Sequence, residues 1–406
     1  MFKKARVFFG NLFSRQPKND TEELEKACVR LEKKLKRKLK DFDKGNPSIL
    51  GGKDDLKCSR PEPEKYPVPE LLLFALHNVL EYPAFHNREE KTSWSVFGRL
   101  NRTEFIAERR KSGFIFCFAK DANDSDCERI VGQLSGTVPA VKKELAKIAS
   151  HQIATGNVSV TNRYYEFTNR YRFFRDKAEH AFSEEGFVKD DDENEMANGI
   201  RRIFHRQGVS RDGFYFTVEM IDAFYSRLEH LLLLHYAFLG RFQKDGDLKD
   251  FLWSKWDCKF KAIVDVDSSH DAGKLLGDLR SIKDAIRNPF AHGGTENDLS
   301  SLFFHLPGIG AVPASLNDFK NSQRFNRMIP VEKTDFDNAC DVFDKVDAIL
   351  AEDDLKFAFM MVERGVDAAF DKDSQSKYKE VLASEEKAIA FAEEWNRRAD
   401  DHANFD

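Results

Sequence analysis

A short run near position 290 combines side chains that can bind an anion and move a proton. The stretch 281–294 reads SIKDAIRNPFAHGG and sets Arg287, Asn288 and His292 around a proline. A guanidinium presents a fork of N–H donors to phosphate oxygens. An imidazole titrates near neutral pH and can act as an acid or a base. These residue types favour chemistry at a phosphate ester, with the amide orienting the histidine or the phosphate.

The spacing of Arg287 and His292 is weak evidence by itself. With 11 histidines in 406 residues, chance gives about one arginine five positions before a histidine. The chain has three such pairs, Arg175/His180, Arg287/His292 and Arg397/His402. The first lies in a continuous polar helix, where residues five apart point about 140° away from each other, and the last lies at the charged C-terminal end. Only the middle pair follows an apolar ladder and contains a proline, which can kink the helix and bring both side chains onto one surface.

The same motif also has a purely structural interpretation. Arg287 falls in the last turn of a helix, where the macrodipole favours a cation. Asn288 precedes Pro289, so its backbone is expected to leave the α region. His292 stands before Gly293, a residue suited to a left-handed cap. In this interpretation the motif terminates a helix and has no chemical role.

Two helices are predicted to position the motif. The run GKLLGDLRSIKDAIR (273–287) is amphipathic and carries the arginine at its end. The run 214–242 is apolar around most of its circumference, which is typical of a central core helix or a subunit interface. Glu229 and His230 on that helix, together with Asp284, are candidates for supporting the motif side chains. The alternative is that they are core polar groups with partners of their own.

The segment LLGDLRSIKDAIRNPFAHGG resembles the signature of the HEPN superfamily, which comprises small helical-bundle domains found in RNA-cleaving toxins and defence proteins. Arg287, Asn288 and His292 match the arginine, polar residue and histidine of that signature. The resemblance covers about residues 196–352, with a long apolar first helix, a Trp/Lys/Phe-rich segment (WSKWDCKFKAI), the motif helix and a closing helix at about 335–351. The insert at 293–333 is dominated by loop signals and is longer than the family layout.

The resemblance implies a metal-independent RNA endonuclease without a cofactor. Arg287 would stabilise charge on the phosphate, His292 would act as acid or base, and Asn288 would orient the histidine or bind the phosphate. Attack by the 2′-hydroxyl would exclude DNA as a substrate. The family pairs two motifs across a dimer, so a homodimer or larger assembly is expected, with pairing to Arg175/His180 in the same chain as the rival. A toxin or antiviral role and a regulatory partner protein follow by analogy alone.

The chain before the motif region predicts a different architecture. A basic helix (20–43) and a linker fill residues 1–65, and strand patterns between Trp94 and Ala119 predict a short antiparallel sheet within an α+β domain at 66–187. The acidic stretch 184–195 indicates a domain boundary. The expected fold is therefore mainly α: this α+β domain, a HEPN-like helical bundle at 196–352, and C-terminal helices at 353–406.

A helix at 162–183 carries arginines interleaved with aromatic residues. Arg163, Arg170 and Arg172 are candidate RNA contacts, because single-strand binders combine phosphate contacts with base stacking. The alternative is an amphipathic helix that buries its aromatic side chains.

Composition sets limits on these interpretations. The net charge is −5, so contact with nucleic acid must come from local patches. The six cysteines form no CxxC pair, which predicts a reducing, cytoplasmic environment without a disulfide framework. No apolar run is long enough for a transmembrane helix. The alternatives to an enzyme are a non-catalytic HEPN-like scaffold that assembles or binds RNA, and a helical adaptor.

Overall fold

The structure is a computed structural model, and it describes residues 18–47, 56–86, 92–183, 195–241, 244, 246–288, 302–317, 322–324 and 331–404. Within these ranges the chain is mainly helical, with a small antiparallel sheet in the N-terminal part, as the sequence predicts.

The N-terminal part combines helices with a six-stranded sheet. Its helices are α1 (Lys18–Lys38), α2 (Glu70–Leu73, continued by a π-helical turn at Phe74–Val79), α3 (Asp124–Ser135) and α4 (Val138–Thr155). Its strands are β1 (Phe42–Lys44), β2 (Leu56–Ser59), β3 (Ala84–Phe85), β4 (Thr92–Leu100), β5 (Thr103–Arg110) and β6 (Gly113–Ala119). The strand order is β1-β4-β5-β6-β2, and β3 pairs with β4.

Alternation along the central strands explains the sheet. Phe105, Phe116 and Trp94 lie on one face and are buried in a common core with residues of α2 and α3. Side chains two apart on a strand share a face, so an aromatic residue at every second position packs into one layer. The antiparallel strands predicted between Trp94 and Ala119 are confirmed.

Cys58 and Cys117 form a disulfide, contrary to the sequence prediction. They are directly opposite each other on β2 and β6, with Cα atoms 4.1 Å apart. The prediction failed because the two residues are 59 positions apart and only the register of two strands brings them together. Part of the predicted linker is therefore the edge strand β2. The other four cysteines are unpaired.

A buried carboxylate joins α1 to α4. Leu31 and Leu35 of α1 are fully buried, and above them the Glu144 side chain on α4 accepts hydrogen bonds from Lys34, Lys147 and Arg30. These cations hold the pKa of Glu144 at about 2, well below its ordinary value, with the Lys34 hydrogen bond as the largest cause. Part of the basic cluster of α1 therefore serves this contact rather than facing only solvent.

The rest of the chain adds nine further helices and five short strands among the residues described. The helices are α5 (Tyr164–Phe182), α6 (Glu195–Phe238), α7 (Asp247–Trp253), α8 (Trp256–Ile263), α9 (His270–Ile282, continued by a π-helical turn at Lys283–Arg287), α10 (Lys333–Leu350), α11 (Lys356–Glu363), α12 (Lys372–Val381) and α13 (Glu385–Asn404). The strands are β7 (Ser159–Val160), β8 (Leu302–Leu306), β9 (Gly310–Asn317), β10 (Ser322–Arg324) and β11 (Ala368–Ala369).

Helix α6 is the centre of the second core. Its apolar side chains are buried against α5, α8 and α9 and against helices after residue 333, so the prediction of a core helix is confirmed. Between Phe214 and Phe238, its least buried stripe consists of Tyr215, Glu219, Asp222, Ser226 and Glu229. The apolar residues of α6 from Phe216 to Phe238 are buried or partly buried within one chain and give no separate argument for a subunit interface, whereas Met196 and Ile200 near its start are exposed.

Helix α5 packs antiparallel along α6, with Arg163 beside His230 and Phe182 beside Gly213. A Cβ atom at position 213 would lie 2.5 Å from the Phe182 ring, so glycine permits this close approach. Helix α5 thus shares a hydrophobic core with α6, although α5 precedes the predicted domain boundary. Residues 184–194 of that boundary lie outside the described ranges. The domain limits stay a prediction.

The predicted loop region at 293–333 contains a three-stranded antiparallel sheet, β10-β9-β8. Gly308 and Gly310 adopt positive φ in the turn between β8 and β9. Glycine takes this conformation without a Cβ clash. The glycine and proline signals therefore mark the turn of a hairpin rather than an extended loop.

Candidate active site

Helix α9 ends in a π-helical turn that carries the candidate arginine. Ser269 caps the start of α9 through the Ala272 N–H, and Leu275, Leu276 and Leu279 bury its inner face. The Tyr225 hydroxyl on α6 donates a 2.6 Å hydrogen bond to the Leu279 carbonyl, which fixes the depth of α9 on α6. The next turn, Lys283–Arg287, is wider than an α-helical turn. Turns of this kind occur often at functional sites.

The backbone of Asn288 is helical, with φ −62° and ψ −42°. The expectation that it leaves the α region before Pro289 is therefore wrong. Its N–H is bonded to the Lys283 carbonyl five residues earlier, so the widened turn retains a backbone partner for this residue. The helix thus reaches at least to Asn288.

Arg287 is held against α6 by a single carboxylate. Its Nε donates to Oδ1 of Asp222 at 3.0 Å, and its Nη2 lies 3.0 Å from the same oxygen. The guanidinium lies 6.0 Å from the centre of the Tyr225 ring. The side chain is 29% exposed, so it is oriented by protein groups and still reaches the surface.

Asp222 also receives an arginine from a third element. The Nη2 atom of Arg170 on α5 lies 3.4 Å from Oδ2 of Asp222 and 3.6 Å from Oε2 of Glu219. Two guanidinium groups from α5 and from the π-helical turn therefore meet at the two oxygens of one carboxylate. Of the three candidate RNA-contact residues, only Arg170 shares a carboxylate partner with Arg287.

The motif amide contacts a candidate supporting residue. Asn288 Nδ2 donates to Oδ1 of Asp284 at 2.9 Å, one helical turn earlier. His292 lies outside the described residues, so its position relative to Arg287 stays a prediction.

A second cation stands on the motif turn beside Arg287. The Nζ of Lys283 lies 5.2 Å from the Trp256 ring centre and 5.7 Å from that of Tyr225. Burial lowers the pKa of Lys283, and the charge of Arg287 lowers it further. Sequence reasoning missed Lys283, although its position four residues before Arg287 places the two on one helix face. It also missed Asp222, which is the one charged residue in the run MIDAFY.

Glu229 and His230 contact different neighbours of α6, and in the described part of the chain neither forms a hydrogen bond or ion pair with Arg287. Glu229 Oε2 accepts a 3.0 Å hydrogen bond from Lys259 on α8. His230 Nε2 accepts the backbone N–H of Arg163 at 2.9 Å, and its ring lies tilted against that of Phe167, with the ring centres 5.1 Å apart. Burial, followed by the charge of Arg163, lowers the pKa of His230 to about 4. His230 is therefore a neutral hydrogen-bond acceptor at physiological pH.

The remaining candidate arginines of α5 point elsewhere. The Arg163 guanidinium forms an ion pair with Glu166 on its own helix. Arg172 is exposed and forms no ion pair within the described part of the chain.

The rival pair Arg175/His180 lies on a regular part of α5, as predicted. Arg175 forms two hydrogen bonds with the Asp344 carboxylate on α10, at 2.5 and 2.8 Å. This pairing raises the pKa of Arg175 and lowers that of Asp344. A guanidinium bound in this way is already satisfied by the fold.

The described residues contain neither a cluster of metal ligands nor a membrane-spanning helix. Among them no three His, Cys, Asp or Glu side chains are grouped so that they could hold a metal ion. Likewise, no described helix has the length and apolar content needed to cross a membrane.

Comparison of the chain with protein-family models, with curated proteins and with solved structures finds no match. The candidate site therefore has to be judged by its own geometry.

Proposed function

We propose that the chain is a metal-independent RNA endonuclease of the HEPN type, with Arg287, Asn288 and His292 in its active site. The observation that carries the proposal is the position of Arg287, which is fixed by Asp222 at the end of α9 yet open to solvent. The order of long helix, motif helix and closing helix (α6, α9 and α10) agrees with the layout that the resemblance implies for residues 196–352.

The chemistry assigned to these residues needs no metal. His292 removes the 2′-hydroxyl proton or protonates the 5′-oxygen that leaves. Arg287 binds the phosphate oxygens and stabilises the charge that develops on them. Asn288, whose Nδ2 donates to Asp284, contributes its remaining amide groups to orienting the histidine or to binding the phosphate. The products are a 2′,3′-cyclic phosphate and a 5′-hydroxyl, and DNA is not cut because it lacks the nucleophile.

The assembly and the cellular role belong to the same proposal. One arginine and one histidine are few groups for this reaction, so a second copy supplies a second motif in a homodimer or larger assembly. The role is that of a toxin or antiviral effector in the cytoplasm, restrained by a partner protein. The Cys58–Cys117 disulfide is unusual for that compartment, where thiols are kept reduced.

Cleavage of cellular RNA in the presence of EDTA tests the proposal. Wild type should cut RNA but not DNA of the same sequence, whereas Arg287→Ala and His292→Ala should lose at least 100-fold in rate. Arg287→Lys keeps the positive charge but lacks the planar set of N–H donors, so its cleavage rate should also be lower. Arg398→Ala is the matched control, because it removes an exposed arginine that is paired with Glu394 on α13, and it should cut like wild type. Intact RNA in every lane, with wild type tested at concentrations where it is dimeric, contradicts the proposal.

A second candidate function is a non-catalytic HEPN-like scaffold. The ion pair of Arg287 with Asp222 favours it, because an arginine already paired within the fold can have a purely structural role. If the protein is a scaffold, Arg287→Ala and Asp222→Ala should lower the free energy of unfolding by similar amounts. RNA should then remain intact with both variants and with wild type.

A further inference from the structure

The solvent side of α5 carries cations and an exposed aromatic ring in one line. Arg170, Phe173 and Lys177 are three and seven residues apart, so they share a helix face. The Phe173 side chain is 54% exposed, and the Nζ of Lys177 lies 5.7 Å from its ring centre. The guanidinium of Arg170 lies 5.9 Å from the ring of Phe174, which packs edge-on against Phe173.

Packing of α5 does not require this face. Its core contacts come from Tyr164, Thr168, Tyr171 and Ala178, which point toward α6 and α10. Phe173 lies on the other side of the helix and contributes nothing to that core. An exposed ring next to cations is instead the arrangement on which single-stranded nucleic acids stack.

Arg170 connects this face to the candidate active site. The Asp222 carboxylate contacts one nitrogen of Arg170 and two nitrogens of Arg287. A guanidinium has five N–H donors, so the contacts with Asp222 orient the guanidinium groups of Arg170 and Arg287 without using all of their donors. The Asp222 carboxylate therefore marks a place where two arginines from different elements reach one anionic group, as they would at a phosphate.

We propose that this face of α5 binds single-stranded RNA that continues into the candidate active site. The backbone phosphates pass Arg287, Arg170 and Lys177, and one base stacks on Phe173. Seven residues of helix cover about 10 Å, a length that about three stacked nucleotides span at about 3.4 Å each. This inference rests on the proposed function for its direction of approach to Arg287.

The carboxylates beside this face limit its strength. Glu219 and Asp222 both lie within 4 Å of Arg170 and partly neutralise it. Net attraction for a polyanion therefore comes from few charges, and raising the salt concentration should weaken binding only modestly. The exposed ring distinguishes a nucleic acid from an acidic peptide, which would use the cations without the stacking.

Binding of an uncleavable RNA tests the proposal on the full chain. A fluorescent 2′-O-methyl oligonucleotide lacks the attacking hydroxyl, so its anisotropy reports affinity without cleavage. Phe173→Ala and Arg170→Ala should each weaken binding about 5-fold or more. The matched controls are Tyr165→Ala, an exposed aromatic on another face of α5, and Arg398→Ala, an exposed arginine paired with Glu394 on α13, and both should bind within about twofold of wild type.

The outcomes separate this proposal from the enzymatic one. Phe173→Ala binding as well as Tyr165→Ala, or Arg170→Ala as well as Arg398→Ala, overturns the RNA path on α5 even if wild type cuts RNA. An acidic peptide that displaces the oligonucleotide at equal concentration overturns it too. Binding that depends on Arg170 and Phe173 without any cleavage of natural RNA supports the path and contradicts only the nuclease. Thermal unfolding should confirm that Phe173→Ala is folded, since its side chain is exposed.

Discussion

The Nε and Nη2 atoms of Arg287 both lie 3.0 Å from one oxygen of Asp222. This geometry holds the guanidinium in one orientation relative to α6. The same carboxylate carries a negative charge that opposes any phosphate bound there. Asp222 should therefore help cleavage by positioning and reduce affinity by charge, and the two effects can be measured separately.

Asp222→Asn should tighten RNA binding and slow its cleavage. The variant removes one negative charge, so affinity for the 2′-O-methyl oligonucleotide should rise about threefold and become more salt-dependent. Arg287 loses its strongest restraint, so the single-turnover cleavage rate should fall about 10-fold. Glu219→Gln is the control, because Glu219 lies beside Arg170 and not beside Arg287; it should affect binding alone. Unchanged cleavage by Asp222→Asn would refute the positioning role.

His230 should stay neutral over the pH range in which cleavage is measured. Its pKa of about 4 lies below the ordinary value of 6.5, so the folded state binds fewer protons than the unfolded state between these values. Its contribution to stability is therefore lost progressively as the pH falls from about 6.5 to about 4. Urea unfolding at several pH values should show a weaker acid dependence for His230→Gln. An imidazole NMR titration of His230 with a midpoint near 6.5 would contradict this prediction.

The Glu144 contact should make the junction of α1 and α4 acid-sensitive. Its lowered pKa means that the stabilisation is complete above the ordinary value of 4.5 and is lost as the pH falls toward 2. Glu144→Gln should lower the free energy of unfolding at pH 7 by about 1–3 kcal/mol and remove part of the acid dependence. Glu32→Gln, which breaks an exposed pair with Lys36 on α1, should change stability by less than about 0.5 kcal/mol. Equal effects of the two variants would show that Glu144 is not a special contact.

Arg227 is buried in the second core and depends on one carboxylate. Its guanidinium bonds Asp347 at 2.7 Å and Thr168 at 3.0 Å. Asp347→Ala should destabilise the protein by about 3 kcal/mol, because it leaves a buried charge without its counter-ion. Asp341→Ala, at an exposed position of the same helix α10, should remain within about 0.5 kcal/mol. Chemical denaturation followed by circular dichroism measures both, and a small effect at Asp347 would mean that water solvates Arg227.

Reduction of the Cys58–Cys117 disulfide should weaken the N-terminal sheet. The bond closes a segment with a sequence separation of 59 residues, for which the chain-entropy model gives a stabilisation of about 4 kcal/mol as an upper value. Dithiothreitol should lower the melting temperature of wild type and of Cys28→Ser alike. It should have no effect on the Cys58→Ser/Cys117→Ser double variant. A melting temperature insensitive to dithiothreitol in wild type would contradict the prediction.

Local patterns predicted those parts of the fold that depend on neighbouring residues. The alternation of Phe114, Phe116 and Phe118 predicted β6, and the apolar circumference around Leu231 predicted a core helix. Pairings between distant residues could not be read in this way. Cys58 with Cys117, and Asp222 with Arg170, depend on strand register and helix packing that composition does not encode.

The candidate site shows the same difference between features that follow from local sequence and pairings between distant residues. Arg287 and Asn288 were found from their context in the chain, and the structure adds Asp222, Arg170 and Lys283 around them. The helical backbone of Asn288 was not foreseen, because the steric rule for residues before proline is a preference against the α region and not a prohibition.

The wide turn at Lys283–Arg287 makes the length of this segment as important as its composition. Each residue of an α-helix adds about 100° of rotation, so removing one residue between Leu279 and this turn, with the wide turn itself retained, would swing the arginine by about that angle, away from Asp222. A related chain could keep every residue of the signature and still aim its guanidinium at solvent. The direction of this arginine therefore depends on the number of residues between it and Leu279, whose carbonyl is anchored by Tyr225, as well as on the number between it and the histidine.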